Sequence, residues 1–149
     1  MSTATSVNFV LPLPPGINNQ YVTLKNGRRA LSKESQKWKR QARQELEVMR
    51  FDGRVSEAFL KALADGYVSL FLDFYFESPL KRDLDGGLKI LQDTLCEAFG
   101  VNDNRVVDIH LVKRMDPLRP RVEVQVEALP EWQFDHEYTY LGPADAPGT

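Results

Sequence analysis

The chain has 149 residues, of which 42% are hydrophobic and 27% charged, proportions typical of one globular core and unlike those of disordered or fibrous chains. The longest apolar stretch, residues 67–76, is interrupted by Ser69 and Asp73 and is too short to cross a bilayer. The first six residues do not resemble a secretion signal, and Cys96 is the single cysteine. We therefore expect a cytoplasmic protein without a membrane partner.

The net charge of −2 hides an uneven distribution along the chain. Residues 25–50 carry nine Lys or Arg residues against three Glu residues, a local excess of six positive charges. Residues 130–149 carry four acidic residues and neither Lys nor Arg. The basic segment predicts a face that can bind a polyanion.

Hydrophobic periodicity and the positions of Pro, Gly and Ser predict strands and helices in alternation. In chain order they are strands over residues 7–13, 21–24 and 28–31, helices over 32–49 and 55–64, a strand over 67–76, a helix over 83–99, and strands over 106–113 and 121–127. The Asn-Gly pair at residues 26–27 predicts a hairpin, and Ser32 is the expected N-cap of the first helix.

These elements predict an α+β fold, a single domain in which a small mixed β-sheet packs against two to three helices. The domain is assigned to residues 1–129. Residues 130–149 form an acidic, aromatic tail, which we interpret as a flap over the core, with a flexible end from Gly142 onward.

Two carboxylates, Asp83 and Asp85, lie where the strand over residues 67–76 leads into the third helix, and a Gly-Gly pair follows them. Each Gly costs roughly 1 kcal/mol relative to Ala inside a helix, so the pair needs a reason such as a close approach of the backbone to a ligand. Two nearby aspartates suit Mg²⁺, which prefers oxygen ligands. Lys89 would lie one helical turn beyond Asp85 and could neutralise a phosphate oxygen.

Each of these residues also has a simpler interpretation. Asp83 could be an N-cap and Asp85 a first-turn charge that favours the helix dipole. Lys89 and Asp93 could be only a solvated ion pair on the helix surface. Asp103, in an Asn-Asp-Asn loop after the helix, could be an ordinary turn residue. The basic helix could be a solvated outer face, so the residues alone leave metal-dependent phosphate chemistry and a capped surface helix both open.

Taken together, four stretches resemble the RusA-type Holliday junction resolvases, a family of small phage and bacterial endodeoxyribonucleases. These stretches are Leu11-Pro12-Leu13-Pro14-Pro15-Gly16-Ile17-Asn18-Asn19, the basic segment ending in Ser32-Lys33-Glu34, Arg82-Asp83-Leu84-Asp85 with Leu88-Lys89 and Asp93, and Asn102-Asp103 with Val106-Val107-Asp108.

The resemblance implies a homodimer that nicks opposed strands of a four-way DNA junction in recombination and repair, leaving 5′-phosphate and 3′-hydroxyl ends. It implies Mg²⁺, with Mn²⁺ as a substitute, held by Asp83, Asp85 and Asp103, and it makes Lys89 the catalytic lysine. It also implies a cytoplasmic protein of bacterial or phage origin. The residues expected to contact DNA are Asn18, Asn19, Lys33, Lys37, Arg40, Lys81 and Arg82.

Two positions depart from the family pattern. Gly86 stands where the family usually has Asn, and Asn102 stands where it often has Asp. An alternative function is therefore a non-catalytic protein that binds branched DNA through a degenerate metal site, and a third is a nuclease for flaps or forks.

Two further residues receive plain structural interpretations. His110 alternates with Asp108 on a predicted strand and is expected to be partly exposed rather than to bind metal. Cys96 is expected to be a small buried side chain and not a nucleophile.

Overall fold

Six strands are present in the computed structural model, which describes residues 5–80 and 82–142. They are β1 (Ser6–Leu11), β2 (Tyr21–Thr23), β3 (Arg29–Leu31), β4 (Tyr67–Phe76), β5 (Val106–Met115) and β6 (Arg121–Leu129). Four of them form one sheet in the order β1-β6-β4-β5, and β2 and β3 form the predicted hairpin. Only β4 and β5 pair in parallel, so the sheet is mixed.

Three helices and two 3₁₀ turns complete the described residues. They are α1 (Lys33–Phe51), α2 (Glu57–Asp65), α3 (Leu88–Phe99) and the turns Ile17–Asn19 and Asp103–Arg105. Ser32 caps α1 as predicted, because its side chain accepts a hydrogen bond from the Ser35 amide. Helix α3 lies between β4 and β5 in the chain. It forms the crossover connection that two parallel neighbouring strands require. The predicted α+β domain is confirmed.

One face of the sheet and all three helices contribute to a single hydrophobic core. The buried side chains of the longest antiparallel pair are Val68, Leu70, Leu72, Phe74 and Phe76 on β4 and Val122, Val124, Val126 and Ala128 on β6. The residues of the opposite face are partly exposed, except Ser69 of β4, which is also buried. The alternation of period two in the sequence therefore predicts which face of the sheet packs on the core. Trp38 and Leu91 bring α1 and α3 into the same core.

The start of α3 differs from the prediction. The helix begins at Leu88 and not at Asp83, and residues 83–87, here called the Asp83 turn, form two hydrogen-bonded turns before it. Gly87 is the N-cap residue and supplies no side-chain hydrogen bond. The simpler interpretation of Asp83 as the N-cap and Asp85 as a first-turn charge is therefore wrong, because the Gly-Gly pair delays the helix.

Smaller differences occur at strand ends. β1 ends two residues earlier than predicted, at Leu11, where Pro12 cannot donate a ladder hydrogen bond. β5 and β6 each continue two residues further than predicted, to Met115 and Leu129. Helix α2 begins at Glu57 after its N-cap Ser56.

Residues 130–142, the described part of the tail, lack regular helix or strand. Phe134 packs edge-on against Tyr67 at 5.2 Å between ring centroids and against Trp132 at 6.0 Å. Tyr138 and Tyr140 are exposed. A flexible end is expected from Gly142 onward, and the residues after Gly142 lie outside the described part of the chain. Within the described ranges, none of the helices is both long and apolar enough to span a membrane.

Candidate functional site

The loop that follows β1, residues 12–20, is fastened to the start of α1 and is here called the Asn18 loop. Trp38 Nε1 donates to the Pro12 carbonyl at 2.8 Å, and Ser32 Oγ donates to the Asn19 carbonyl at 2.6 Å. Asn18 and Asn19 are exposed on this loop. Prolines have no backbone N–H, so this loop has too few backbone donors for its carbonyl groups. Side chains at the start of α1 donate hydrogen bonds to some of these carbonyls.

Gln20 joins the Asn18 loop to the Asp83 turn. Its side chain is 2% exposed, and Nε2 donates to the Pro15 carbonyl at 3.0 Å and to the Gly86 carbonyl at 2.7 Å. The sequence interpretation missed this residue, since a glutamine in a polar turn carries no signal of burial. Its two hydrogen bonds make Gln20 a positioning residue for the segment that contains Asp83 and Asp85.

Gly87 lets the two segments approach closely. A Cβ atom built on Gly87 would lie 2.5 Å from Pro14 Cγ, a contact that folded proteins do not tolerate. The close approach expected from the Gly-Gly pair is thus present, but it is to the Asn18 loop of the same chain. Asp83 and Asp85 are held exposed on this crowded turn.

Lys89, in the first turn of α3, brings Asp103 toward the start of that helix. Its ammonium lies 2.9 Å from Asp93 Oδ1 and 3.8 Å from Asp103 Oδ2. The hydrogen bond to Asp93 and the charges of Asp93 and Asp103 raise the pKa of Lys89. The loop after α3 therefore folds back along the helix, which the sequence could not decide.

Three predicted ligands, Asp83, Asp85 and Asp103, are exposed carboxylates, so their donor chemistry fits Mg²⁺. Their arrangement is not yet that of a closed metal site. Among the described residues, no three or more His, Cys, Asp or Glu side chains are grouped closely enough to hold a metal ion. Asp83 and Asp85 lie on one turn, and Asp103 faces Lys89 on the adjacent helix.

Arg82 lies in a cleft of about 340 Å³ between the Asn18 loop and the Asp83 turn. Its Nη2 donates to the Pro14 carbonyl at 2.6 Å, and the guanidinium lies over the Phe76 ring. Burial lowers the pKa of Arg82, and the negative charges of Glu34 and Glu77 partly oppose this shift. Its buried Nε has no hydrogen-bond partner in the part of the chain that the structure describes, an unsatisfied group of a kind that is rare in folded proteins.

Five of the six cations of α1, all except Arg50 in its last turn, fall into two groups. Lys39 and Arg43 pair with Glu97 of α3 and so contribute to helix packing. Lys33, Lys37 and Arg40 are exposed, follow the spacing of one helix face, and make no ion pair within the described ranges. This second group is the available basic stripe. Lys81, also expected to contact DNA, lies outside the described residues.

The two minor candidates have local structural roles. His110 is half exposed, lies 3.1 Å from Asp108 and stacks on Phe71 at 4.4 Å between centroids, as expected for a partly exposed strand residue. Cys96 is buried in α3, and burial, followed by the charges of Asp103 and Asp93, raises its pKa to about 11. A thiol with this pKa is protonated at neutral pH, so it is not an activated nucleophile.

The fold and these side chains define a small α+β enzyme in which acidic residues and a lysine at a crossover helix adjoin a basic surface. A family model described as Endodeoxyribonuclease RusA matches residues 12–127. The chain belongs to this family, which confirms the resemblance, and it is an endodeoxyribonuclease with the Holliday junction resolvase activity that the family implies. A search of curated proteins found no match.

Proposed function

We propose that the chain is a Mg²⁺-dependent, structure-selective endodeoxyribonuclease that resolves Holliday junctions by paired symmetric nicks. The observation that best supports the proposal is the 3.8 Å contact between Asp103 and Lys89, which lies in the first turn of α3, the helix that follows the exposed Asp83 turn. Such a combination suits the hydrolysis of a phosphodiester, whose charge rises in the transition state. The products would carry 5′-phosphate and 3′-hydroxyl ends.

Asp83, Asp85 and Asp103 would hold the metal ion, with Mn²⁺ as a substitute. When bound, the ion would supply Lewis-acid activation of the phosphate and of the attacking water. Lys89 would leave its partner Asp103 and stabilise charge on a phosphate oxygen, while Asp93 keeps its ammonium oriented.

Branched DNA would lie across the Asn18 loop and the basic stripe of α1. Arg82, which lines the cleft, would contribute positive charge to a phosphate bound there, and Asn18 and Asn19 would hydrogen-bond to the DNA backbone. Lys33, Lys37 and Arg40 would add salt-dependent contacts with neighbouring phosphates, and Lys81 is proposed for the same role from its sequence position. Binding would follow the shape of the junction more than its base sequence.

Two copies of the chain would act together. One domain supplies one Asp83 turn and one Asp103, whereas paired nicks on opposed strands require two such sites. A homodimer with two-fold symmetry would match the pseudo-symmetry of a four-way junction. We propose that it acts on recombination and repair intermediates in the reducing cytoplasm of a bacterium or a phage-infected cell, in agreement with the single buried Cys96.

The test uses a synthetic four-way junction with each strand labelled in turn. With Mg²⁺, wild-type protein should produce symmetric nicks that a DNA ligase reseals, and Asp83→Asn should bind the junction but not cut it. Asp52→Asn is the matched control, since Asp52 is an exposed aspartate paired with Arg54 after α1. Junctions left intact at every enzyme concentration, with either Mg²⁺ or Mn²⁺, would contradict the proposal.

A second candidate is a non-catalytic protein that binds branched DNA. It is favoured by the absence of a closed acidic cluster among the described residues. It is also favoured because the two positions that differ from the family pattern, Gly86 and Asn102, make hydrogen bonds within the chain. Asn102 accepts a hydrogen bond from the Asn104 amide, and the Gly86 carbonyl accepts one from Gln20. Junction binding by the wild type without cleavage in either metal would select this candidate, and a panel of flaps and forks would detect another nuclease specificity.

A further inference from the structure

Lys113 of strand β5 binds the backbone that leads into the Asp83 turn. Its ammonium donates to the carbonyls of Pro79 and Arg82, both at 2.9 Å. It also lies 5.7 Å from the centre of the Phe76 ring, at the end of β4. One side chain of the outer sheet strand thus contacts the segment between β4 and the Asp83 turn at two places and lies near the last residue of β4.

The Arg82 carbonyl is the critical contact, because it belongs to the peptide unit that joins Arg82 to Asp83. The side chain of Arg82 is held as well, because its guanidinium donates to the Pro14 carbonyl. A charge-assisted hydrogen bond is about twice as strong as a neutral one, so Lys113 restrains the peptide plane from which Asp83 projects. The parallel register, in which Phe74 lies beside Lys113, brings the lysine to this point.

The geometry of the ammonium favours a structural role over a direct contact with DNA. A lysine has three N–H donors, and two of them are directed at carbonyl oxygens of the chain itself. The neighbouring Arg114 differs, since its guanidinium pairs with Asp73 at 3.3 Å and contacts the Tyr75 ring. Adjacent residues of a strand point to opposite faces, so the two cations have separate functions.

We propose that Lys113 is a positioning residue of the nuclease site and that it fixes the peptide unit carrying Asp83 for metal binding. This inference rests on the proposed function, because it assigns Asp83 to the metal. Without the ammonium, residues 82–86 would move more freely, and Asp83 would spend less time near Asp85. Affinity for the divalent cation and turnover would then fall, while affinity for DNA would stay the same.

The experiment compares Lys113→Met, which removes both hydrogen bonds, with Lys113→Arg, which keeps the charge and donors. Arg114→Met is the matched control, since it removes one positive charge from the same strand. Lys113→Met should lower kcat roughly ten-fold or more, as expected for a small displacement of a reacting group. Junction affinity without metal and its slope against salt concentration should match wild type, and Lys113→Arg should restore much of the activity.

Two readouts do not depend on cleavage. Mn²⁺ titration followed by electron paramagnetic resonance should show weaker binding for Lys113→Met, and amide hydrogen exchange in residues 82–86 should be faster without metal. A salt slope reduced by about one would show that Lys113 binds a phosphate, which overturns the inference. Unchanged exchange and Mn²⁺ affinity would overturn it as well. Failure of wild type to cut would contradict the proposed function alone, because the exchange measurement still tests the positioning role.

Discussion

The Lys89 ammonium lies 3.8 Å from a carboxylate oxygen of Asp103, across the gap between α3 and the turn that precedes β5. These residues are fourteen positions apart in the sequence, and the intervening chain has to reverse direction to bring them together. Gly100 makes the reversal possible, because its φ of 69° lies in the left-handed region that ends helices. The contact brings a third carboxylate to the first turn of α3, the helix that follows the Asp83 turn.

Replacing Lys89 should separate catalysis from stability. Lys89→Met should reduce junction cleavage by roughly 100-fold, since it removes a cation that stabilises the transition state. The melting temperature should change little, because the Lys89 side chain is 67% exposed and a helical ion pair of this type is worth only about 0.3–0.5 kcal/mol. Lys61→Met is the control, because Lys61 makes the same i to i+4 pair with Asp65 on α2. Wild-type cleavage by Lys89→Met would contradict the catalytic role.

The basic stripe of α1 should determine the salt dependence of junction binding. Lys37→Gln should reduce the slope of log affinity against log salt concentration by about one, as expected for the loss of one phosphate contact. Fluorescence anisotropy with a labelled junction at several salt concentrations measures this slope. Arg54→Gln removes a cation already paired with Asp52 and should leave the slope unchanged. Equal slopes for both variants would place the DNA elsewhere.

Gly87→Ala should destabilise the domain by about 1–3 kcal/mol, because the new methyl group would overlap Pro14 and force either α3 or the Asn18 loop to move. The free energy of unfolding in urea measures the effect. Gly16→Ala is the matched control, since a Cβ at Gly16 would have Arg82 Nε, at 3.7 Å, as its nearest contact outside the adjoining residues of the described chain, and this is an ordinary distance. Equal stabilities of the two variants would show that the close approach is absent.

The aromatic tail should stabilise the sheet without taking part in catalysis. Phe134→Ala should lower the free energy of unfolding by roughly 0.5–1.5 kcal/mol, since it removes the edge-on contacts with Tyr67 and Trp132. Tyr138→Ala, a control at a side chain that is 87% exposed, should have little effect. A loss of cleavage by folded Phe134→Ala would instead give the tail a role at the site.

The Cys96 thiol should react slowly with alkylating agents at pH 8 in the folded protein and quickly in urea. Burial raises its pKa from near 9 to about 11, with Asp103 and Asp93 adding to the effect. A raised thiol pKa favours the protonated, folded form, so this stabilisation is complete below pH 9 and is lost as pH rises toward 11. Rapid alkylation of the folded chain at pH 8 would contradict the buried state of the thiol.

Local sequence patterns determined most of the fold. The alternation along β4 predicted its bounds and buried face, Ser32 predicted the start of α1, and the Asn-Gly pair predicted the hairpin. These features depend on contacts within a few residues, where side-chain periodicity and capping chemistry dominate. The family match also followed from sequence, because four short stretches keep their order and spacing.

The tertiary structure alone decided how the site is held together. The Gly-Gly pair indicated a close approach, but only the fold identifies Pro14 as the neighbour and delays α3 to Leu88. Gln20 and Lys113 bind carbonyls that lie 66 and 31 residues away. No local pattern encodes such hydrogen bonds, since they form only after the sheet and α3 bring distant backbone segments together. The sequence by itself determined the family and nominated the candidate site residues, and the packing of the Asn18 loop, α3 and β5 decided where those residues stand.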